Sequence, residues 1–215
     1  MLRRIAWACL LFGMIAGAPG AGFAQQGGLS PEVARNFING LGQRTLSVLQ
    51  AQNISTQQRT TEIGRILLDG MDFDIVSMHT LGRYGRKPDS QEFREFSQLF
   101  SAYIIDLAVE KFGNMPIESY AVSGAQALPN GDVMVQTSVN QGAGASLNAG
   151  WRVRETPAGP KIIDIMVDGY SMTTHFNGQY ADWLSKAGLA GLVSKMRGQV
   201  KNSPSLALVQ TVRGS

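Results

Sequence analysis

Apolar residues recur at steps of three and four through the first half of the chain and at every second position through much of the second half. Helices should therefore precede strands. Ser30-Pro31-Glu32 supplies an N-cap, a proline at the first helical position and an early acid, followed by Val33, Phe37, Leu41, Val48 and Leu49 at helical spacing. Ser55 with Gln58 fits a capping box that opens a second helix, whose stripe is Ile63, Ile66 and Leu67. Met71-Asp72-Phe73-Asp74-Ile75-Val76 begins a shorter helix that stops near Gly82. Asp89 with Glu92 starts the longest one, and Gly113 ends it.

That longest helix carries Phe93, Phe96, Phe100, Tyr103 and Leu107 in one row, with Leu99 and Ile104 beside it. A core stripe and the wall of a cavity look the same in sequence, and the core stripe is the commoner case. Beyond the helix the period falls to two. Ile117 to Leu128 and Asp132 to Asn140 flank Pro129-Asn130-Gly131, a hairpin turn, and Val133, Val135, Thr137 and Val139 share one face. Leu147, Ala149, Trp151 and Val153 alternate in the next strand, and Ile163, Ile165 and Val167 in the one after. Met172, Phe176, Tyr180 and Leu184 mark a further helix, and Leu189, Leu192, Val193 and Met196 another. Helices, an antiparallel meander, then helices is an α+β pattern. Residues 201–215 are expected to form a loose C-terminal tail.

The start of the chain reads differently. Met1-Leu2-Arg3-Arg4 is basic, Ile5 to Ala18 is uncharged, and Gly22-Phe23-Ala24 places small residues before Gln25. This is the layout of a signal peptide over 1–24, cleaved near Ala24. Fourteen residues at helical rise span about 21 Å, short of a hydrocarbon core of about 30 Å, which argues against an anchor. Residues 25–200 are then expected to form a single domain. Removing Arg3 and Arg4 leaves 17 basic against 16 acidic residues, a net charge near +1, which gives nucleic acid no electropositive surface. Cys9, the only cysteine, leaves with the leader, taking disulfides, thiolate metal sites and cysteine nucleophiles with it. The 44% hydrophobic content is that of an ordinary globular chain.

Candidate chemistry is sparse. His79 and His175 are the only histidines, too few for a metal centre of recognisable spacing, and no cofactor is expected. Gly142-Ala143-Gly144 lacks the lysine and helix of a phosphate loop and reads as a hairpin connection. Gly169-Tyr170-Ser171 superficially suggests a nucleophile elbow, but Thr173 stands where that motif needs glycine and no acid precedes His175. Ser171 is better explained as a helix N-cap. Asp164 and Asp168 share one strand face, opposite Ile163, Ile165 and Val167, and are expected on the solvated side.

The run Met71-Asp72-Phe73-Asp74, Leu81-Gly82-Arg83-Tyr84 and Gln91-Glu92-Phe93, with Phe96, Phe100 and Tyr103, resembles the MlaC or toluene-tolerance auxiliary family. So do Trp151-Arg152-Val153, Ile163-Asp164-Ile165-Met166-Val167-Asp168-Gly169-Tyr170-Ser171, Phe176, Gln179-Tyr180 and Gly188-Leu189-Ala190-Gly191-Leu192. The likeness covers roughly Ser30 to Arg197, with departures at Tyr84, Pro160 and Tyr170. It implies a curved antiparallel sheet of four to five strands wrapped by helices, with an apolar cavity between them. It also implies a periplasmic shuttle carrying a phospholipid between membrane-anchored donor and acceptor proteins of an ABC transport system, and no enzymatic activity. A related branch makes a hopanoid or other polycyclic lipid the alternative cargo. The cavity wall expected on this basis comprises Phe73, Leu81, Phe96, Phe100, Tyr103, Leu107, Val133, Val135, Val139, Trp151, Ile165, Val167, Tyr170 and Phe176. Two other classes compete: a cone-shaped enzyme using Asp106, Asp164 or Asp168 inside the cavity, and an interaction module with a solid core.

Overall fold

A computed structural model describes residues 28–113, 115, 117–142 and 145–214. The expected leader, and Ala143 and Gly144 of the hairpin connection, lie outside the described residues. The first three helices are α1 (Pro31–Gln50), α2 (Thr56–Gly70) and α3 (Phe73–Leu81). A short 3₁₀ turn at Gly82–Gly85 leads to α4 (Gln91–Phe112). Local chemistry sets their starts. Ser30 accepts from the Val33 amide, Ser55 and Gln58 complete the capping box, Asp72 accepts from the Asp74 and Ile75 amides, and Ser90 caps α4 through the Phe93 amide.

The strands are β1 (Ser119–Ala127), β2 (Val133–Gly142), β3 (Ala145–Thr156), β4 (Gly159–Val167) and β5 (Tyr170–Ser171). They pair antiparallel in the order β1-β2-β3-β4-β5, so each strand lies beside its neighbour in sequence. The architecture is α+β, as the change of period predicts. Val135 opposes Trp151, which opposes Ile165, and Thr137 opposes Ala149, which opposes Val167. These residues share one apolar face.

Beyond the sheet lies α5 (Met172–Val200), broken at Gly188, whose φ of 64° only glycine adopts freely. The break divides it into the two helices that its apolar stripes predict. From there the expected loose tail is wrong. Residues Pro204–Arg213 form α6, capped by Ser203 and packed on α2 and α4 through Val209, Ala102 and Ile105. Arg213 ties it down, donating to Asp74 at 2.5 Å, to Ser101 at 2.7 Å and to Ser97 at 3.1 Å. Val209 alone showed little of this in sequence, because the arginine's partners sit more than a hundred residues away. No helix among the described residues is long and apolar enough to cross a membrane.

Strand β4 departs from simple alternation. The register shifts between Arg152 and Val153, so Val153 opposes Ile162 rather than Ile163. This bulge puts Ile162, not Ile163, beside Ile165 and Val167 on the inner face. Asp164 turns to the outer face but is buried there, accepting from the Ile165 and Thr173 amides and, at 2.6 Å, from the Ser171 hydroxyl. The solvated aspartate of the simple alternation is therefore a structural anchor for the start of α5.

Candidate functional site

The inner face of the sheet meets two different partners. At one end Val133, Val135, Val153 and Ile162 are buried against α3, α4 and α5. Phe96 and Phe100 stack with centroids 5.3 Å apart, and Phe176 meets Phe100 edge-on at 5.3 Å. Tyr180 stands edge-on to Phe96 at 6.1 Å, while its hydroxyl donates to the Met196 sulfur at 3.6 Å. Burial pushes the Tyr180 phenol upward, as expected for a hydroxyl enclosed in a dry interior. Such offset and edge-to-face contacts fill space efficiently.

At the other end the sheet and the helices separate. Between them lies an open-mouthed apolar cavity of about 220 Å³. From α1 it is lined by Ile38, Leu41, Gly42, Thr45, Leu46 and Leu49, and from α2 by Ile63, Ile66, Leu67 and Gly70. Ala108 and Phe112 contribute from the end of α4, with Met115 and Ile117 beyond it. The sheet supplies Tyr120, Thr137, Val139, Leu147, Ala149, Trp151, Ile162, Ile165 and Val167.

The few polar atoms on this lining are already engaged. Trp151 Nε1 donates to Thr137 Oγ1 at 2.8 Å, and that hydroxyl faces the Ala149 carbonyl at 3.3 Å. The Tyr120 hydroxyl donates to the Ile38 carbonyl at 3.1 Å, and burial raises its pKa to about 12. The phenol therefore stays neutral throughout the physiological range. Such a wall offers apolar area and little else, the character of a site for a hydrophobic ligand.

Of the residues expected to line a cavity, Val139, Trp151, Ile165 and Val167 do so. Phe73, Leu81, Phe96, Phe100, Val133, Val135 and Phe176 lie instead in the filled core. Tyr103 and Leu107 pack at its margin, Tyr103 edge-on to Phe176 at 5.8 Å. Tyr170 is 79% exposed. The physical reason is α5, whose own rings occupy the space facing the aromatic row. The α2 stripe expected from the sequence, Ile63, Ile66 and Leu67, forms the wall in its place, together with a face of α1. That face shares only Leu41 and Leu49 with the stripe expected there, since Val33 is exposed and Ile38 and Leu46 take part instead. None of their residues stands out by type, and Tyr120 announces itself by nothing in its neighbourhood.

A second, shallower cleft opens on the outer face between Met78 and His79 of α3, Arg152, Asp164 and the start of α5. Behind it Asp132, almost fully buried, accepts from Arg152 Nε at 2.7 Å and from Arg154 Nε and Nη2 at 2.7 and 2.9 Å. Burial opposes the Asp132 charge, but hydrogen bonds from Arg154, Asn130 and Arg152 outweigh it and hold the carboxyl below its usual range. Burial, reinforced by Arg154 and Arg152, likewise lowers the His79 pKa. Ser171 caps α5 through the Thr174 amide at 3.1 Å and is engaged with Asp164. His175 is exposed and bonded to Gln179. Among the described residues no group of histidine, aspartate and glutamate side chains is placed to hold a metal ion.

An antiparallel meander with helices leaving one end of its apolar face uncovered defines an α+β protein built round a hydrophobic pocket. The family model described as MlaC protein matches residues 40–198, and the chain belongs to that family. A solved structure of similar fold is a phospholipid-binding protein from Ralstonia solanacearum in complex with a phospholipid. It has a TM-score of 0.68 and 20% identity, covering 82% of this chain and 98% of that one. No curated protein matches the chain.

Proposed function

We propose that this protein is a lipid carrier that holds the acyl chains of a phospholipid in the cavity between α1, α2 and the sheet. The observation that carries this reading is the cavity wall itself, apolar on all sides and with its hydroxyls and indole already hydrogen-bonded to the protein. Membership of the MlaC family and the phospholipid in the similar structure support it. So does physical need. At about 0.8 kcal/mol per CH₂, a lipid with two long chains cannot cross water bare at any useful rate, and a carrier must bury them.

The rest of the reading follows the family. The basic, apolar, small-x-small start is removed near Ala24, the protein works in the periplasm, and it exchanges lipid with membrane-anchored donor and acceptor proteins of an ABC transport system. It is a binding protein, not an enzyme. Asp106, Asp164 and Asp168, the carboxylates an enzyme of this shape would need inside, are absent from the cavity wall, and Ser171 is committed as a cap.

The test is lipid extraction from protein exported and purified without detergent, with native mass spectrometry of the same sample. A phospholipid bound at a stoichiometry of one is expected. A polycyclic lipid in its place would change the cargo, and protein with no bound lipid that also fails to take up lipid from vesicles would overturn the reading.

A further inference from the structure

The cavity has one weak flank. β1 is an edge strand, and α1 runs beside it. On the outside of this seam Arg35 Nη2 donates to the Val122 carbonyl at 2.8 Å. On the cavity side the seam is closed by Tyr120. Its Cα partner is Val139, and Val139 is paired with Leu147, so all three stand on the inner face. The ring reaches across to α1 and donates to the Ile38 carbonyl.

It can do so only because of Gly42. A Cβ at position 42 would lie 2.3 Å from the ring's Cζ and 2.6 Å from its hydroxyl oxygen, far inside van der Waals contact. Ile38 and Gly42 are four residues apart and share one face of α1, so carbonyl and notch together make a seat for the phenol. Glycine inside a helix weakens it relative to alanine, and its use here is explained by this close approach. Seated, the ring packs against α1 at the wall of the cavity. Unseated, it would swing into the space that ligand occupies.

We propose that Tyr120, stowed in the notch left by Gly42, is the residue that sets how much acyl chain the cavity accepts. The proposal rests on the reading of the cavity as a lipid site, and it names the side chain that gives that site its capacity. Gly42→Ala removes the seat and forces the ring inward. Tyr120→Ala removes the ring and widens the cavity toward the β1 edge. In the double variant nothing remains to clash, so capacity returns.

The experiment compares wild type, Gly42→Ala, Tyr120→Ala and the double variant, each checked for folding by circular dichroism. Each is titrated with the apolar dye N-phenyl-1-naphthylamine and loaded from vesicles of phosphatidylethanolamines of graded chain length. We expect Gly42→Ala to select shorter chains and to lose about fourfold in uptake for each methylene displaced. Tyr120→Ala should shift the bound lipids to longer chains, and the double variant should recover what Gly42→Ala loses. Folded variants with the wild-type chain profile would overturn the inference while leaving the carrier reading intact. So would a double variant no better than Gly42→Ala. Wild type that takes up neither dye nor lipid would overturn the carrier reading itself. Should Gly42→Ala fail to fold, Tyr120→Ala and the double variant still decide, since the inference requires both to fold and to bind at least as much chain as wild type.

Discussion

One face of one sheet serves two ends. Val133, Val135 and Val153 are fully buried, while Val139, Leu147 and Val167 on the same face remain half-buried and line the cavity. The strands themselves do not differ in pattern. The difference lies in what faces them: α5 brings Phe176 and Tyr180 against the rings of α4, whereas the aliphatic stripes of α1 and α2 stand off from the sheet. Aromatic rings interlock and close a core. Shorter aliphatic side chains at greater separation leave a hollow, and alternation alone cannot tell the two apart.

The comparison can be broken first at its solid end. Phe100→Ala should destabilise the protein by about 3–5 kcal/mol, the cost of deleting a large ring from a filled core, as read by urea unfolding. A loss below about 1 kcal/mol would mean that this end is hollow too. Asp132→Asn should cost about 1.5–3 kcal/mol by weakening the charge-assisted hydrogen bonds from two partly exposed guanidinium groups. The sign of its pH dependence follows from the depressed native pKa of Asp132. Its contribution is complete above about pH 4, the ordinary carboxyl range, and is lost as pH falls through the lower native value. The wild-type protein should therefore lose stability below about pH 4, and Asp132→Asn should flatten that decline.

A sharper contrast comes from placing the same indole at both ends. Val135→Trp overpacks the core and should cost about 1–3 kcal/mol, although the sequence alone makes Val135 a cavity residue that could tolerate it. Val139→Trp should leave the melting temperature nearly unchanged while lipid occupancy falls. Equal losses of stability in the two variants would erase the distinction between the ends. Smallest, Ser171→Ala removes a cap remote from the cavity. It should cost about 1 kcal/mol with bound lipid unaltered.

Much of the fold was legible from local signals. Ser30, Ser55 and Ser171 cap the helices they precede, and Pro129-Asn130-Gly131 joins the strands it should, whereas α4 is capped by Ser90, one residue beyond the Asp89 that the sequence pattern singles out. Each of these signals acts over three or four residues. The site was legible only in part, because its definition is a matter of distance between layers. The sheet's apolar face (Val139, Trp151, Ile165 and Val167) followed from alternation and its place beside a cavity from the family resemblance, but the choice of opposing helix followed from neither. A row of rings on α4 looked the stronger candidate, and nothing local in Phe96 or Phe100 showed that Phe176 and Tyr180 would meet them. The bulge that exchanges Ile163 for Ile162 was hidden for the same reason, since the partner strand fixes register.

The anchoring of α6 also governs the order in which the molecule assembles. Every strand pairs with its neighbour in sequence, so the sheet can form from short loops with little entropic cost. The bond from Arg213 to Asp74 closes a loop of 139 residues, and that to Ser101 one of 112. These are among the most remote contacts in the fold, and they hold the side of α2 and α4 facing away from the sheet. Docking of α6 should accordingly be a late event in folding and its release an early one in unfolding. Amides in α6 should exchange with deuterium sooner than those of β2 and β3. Because α2 forms a wall of the cavity on its other side, the hollow reaches its final shape only when a helix that never touches it has settled.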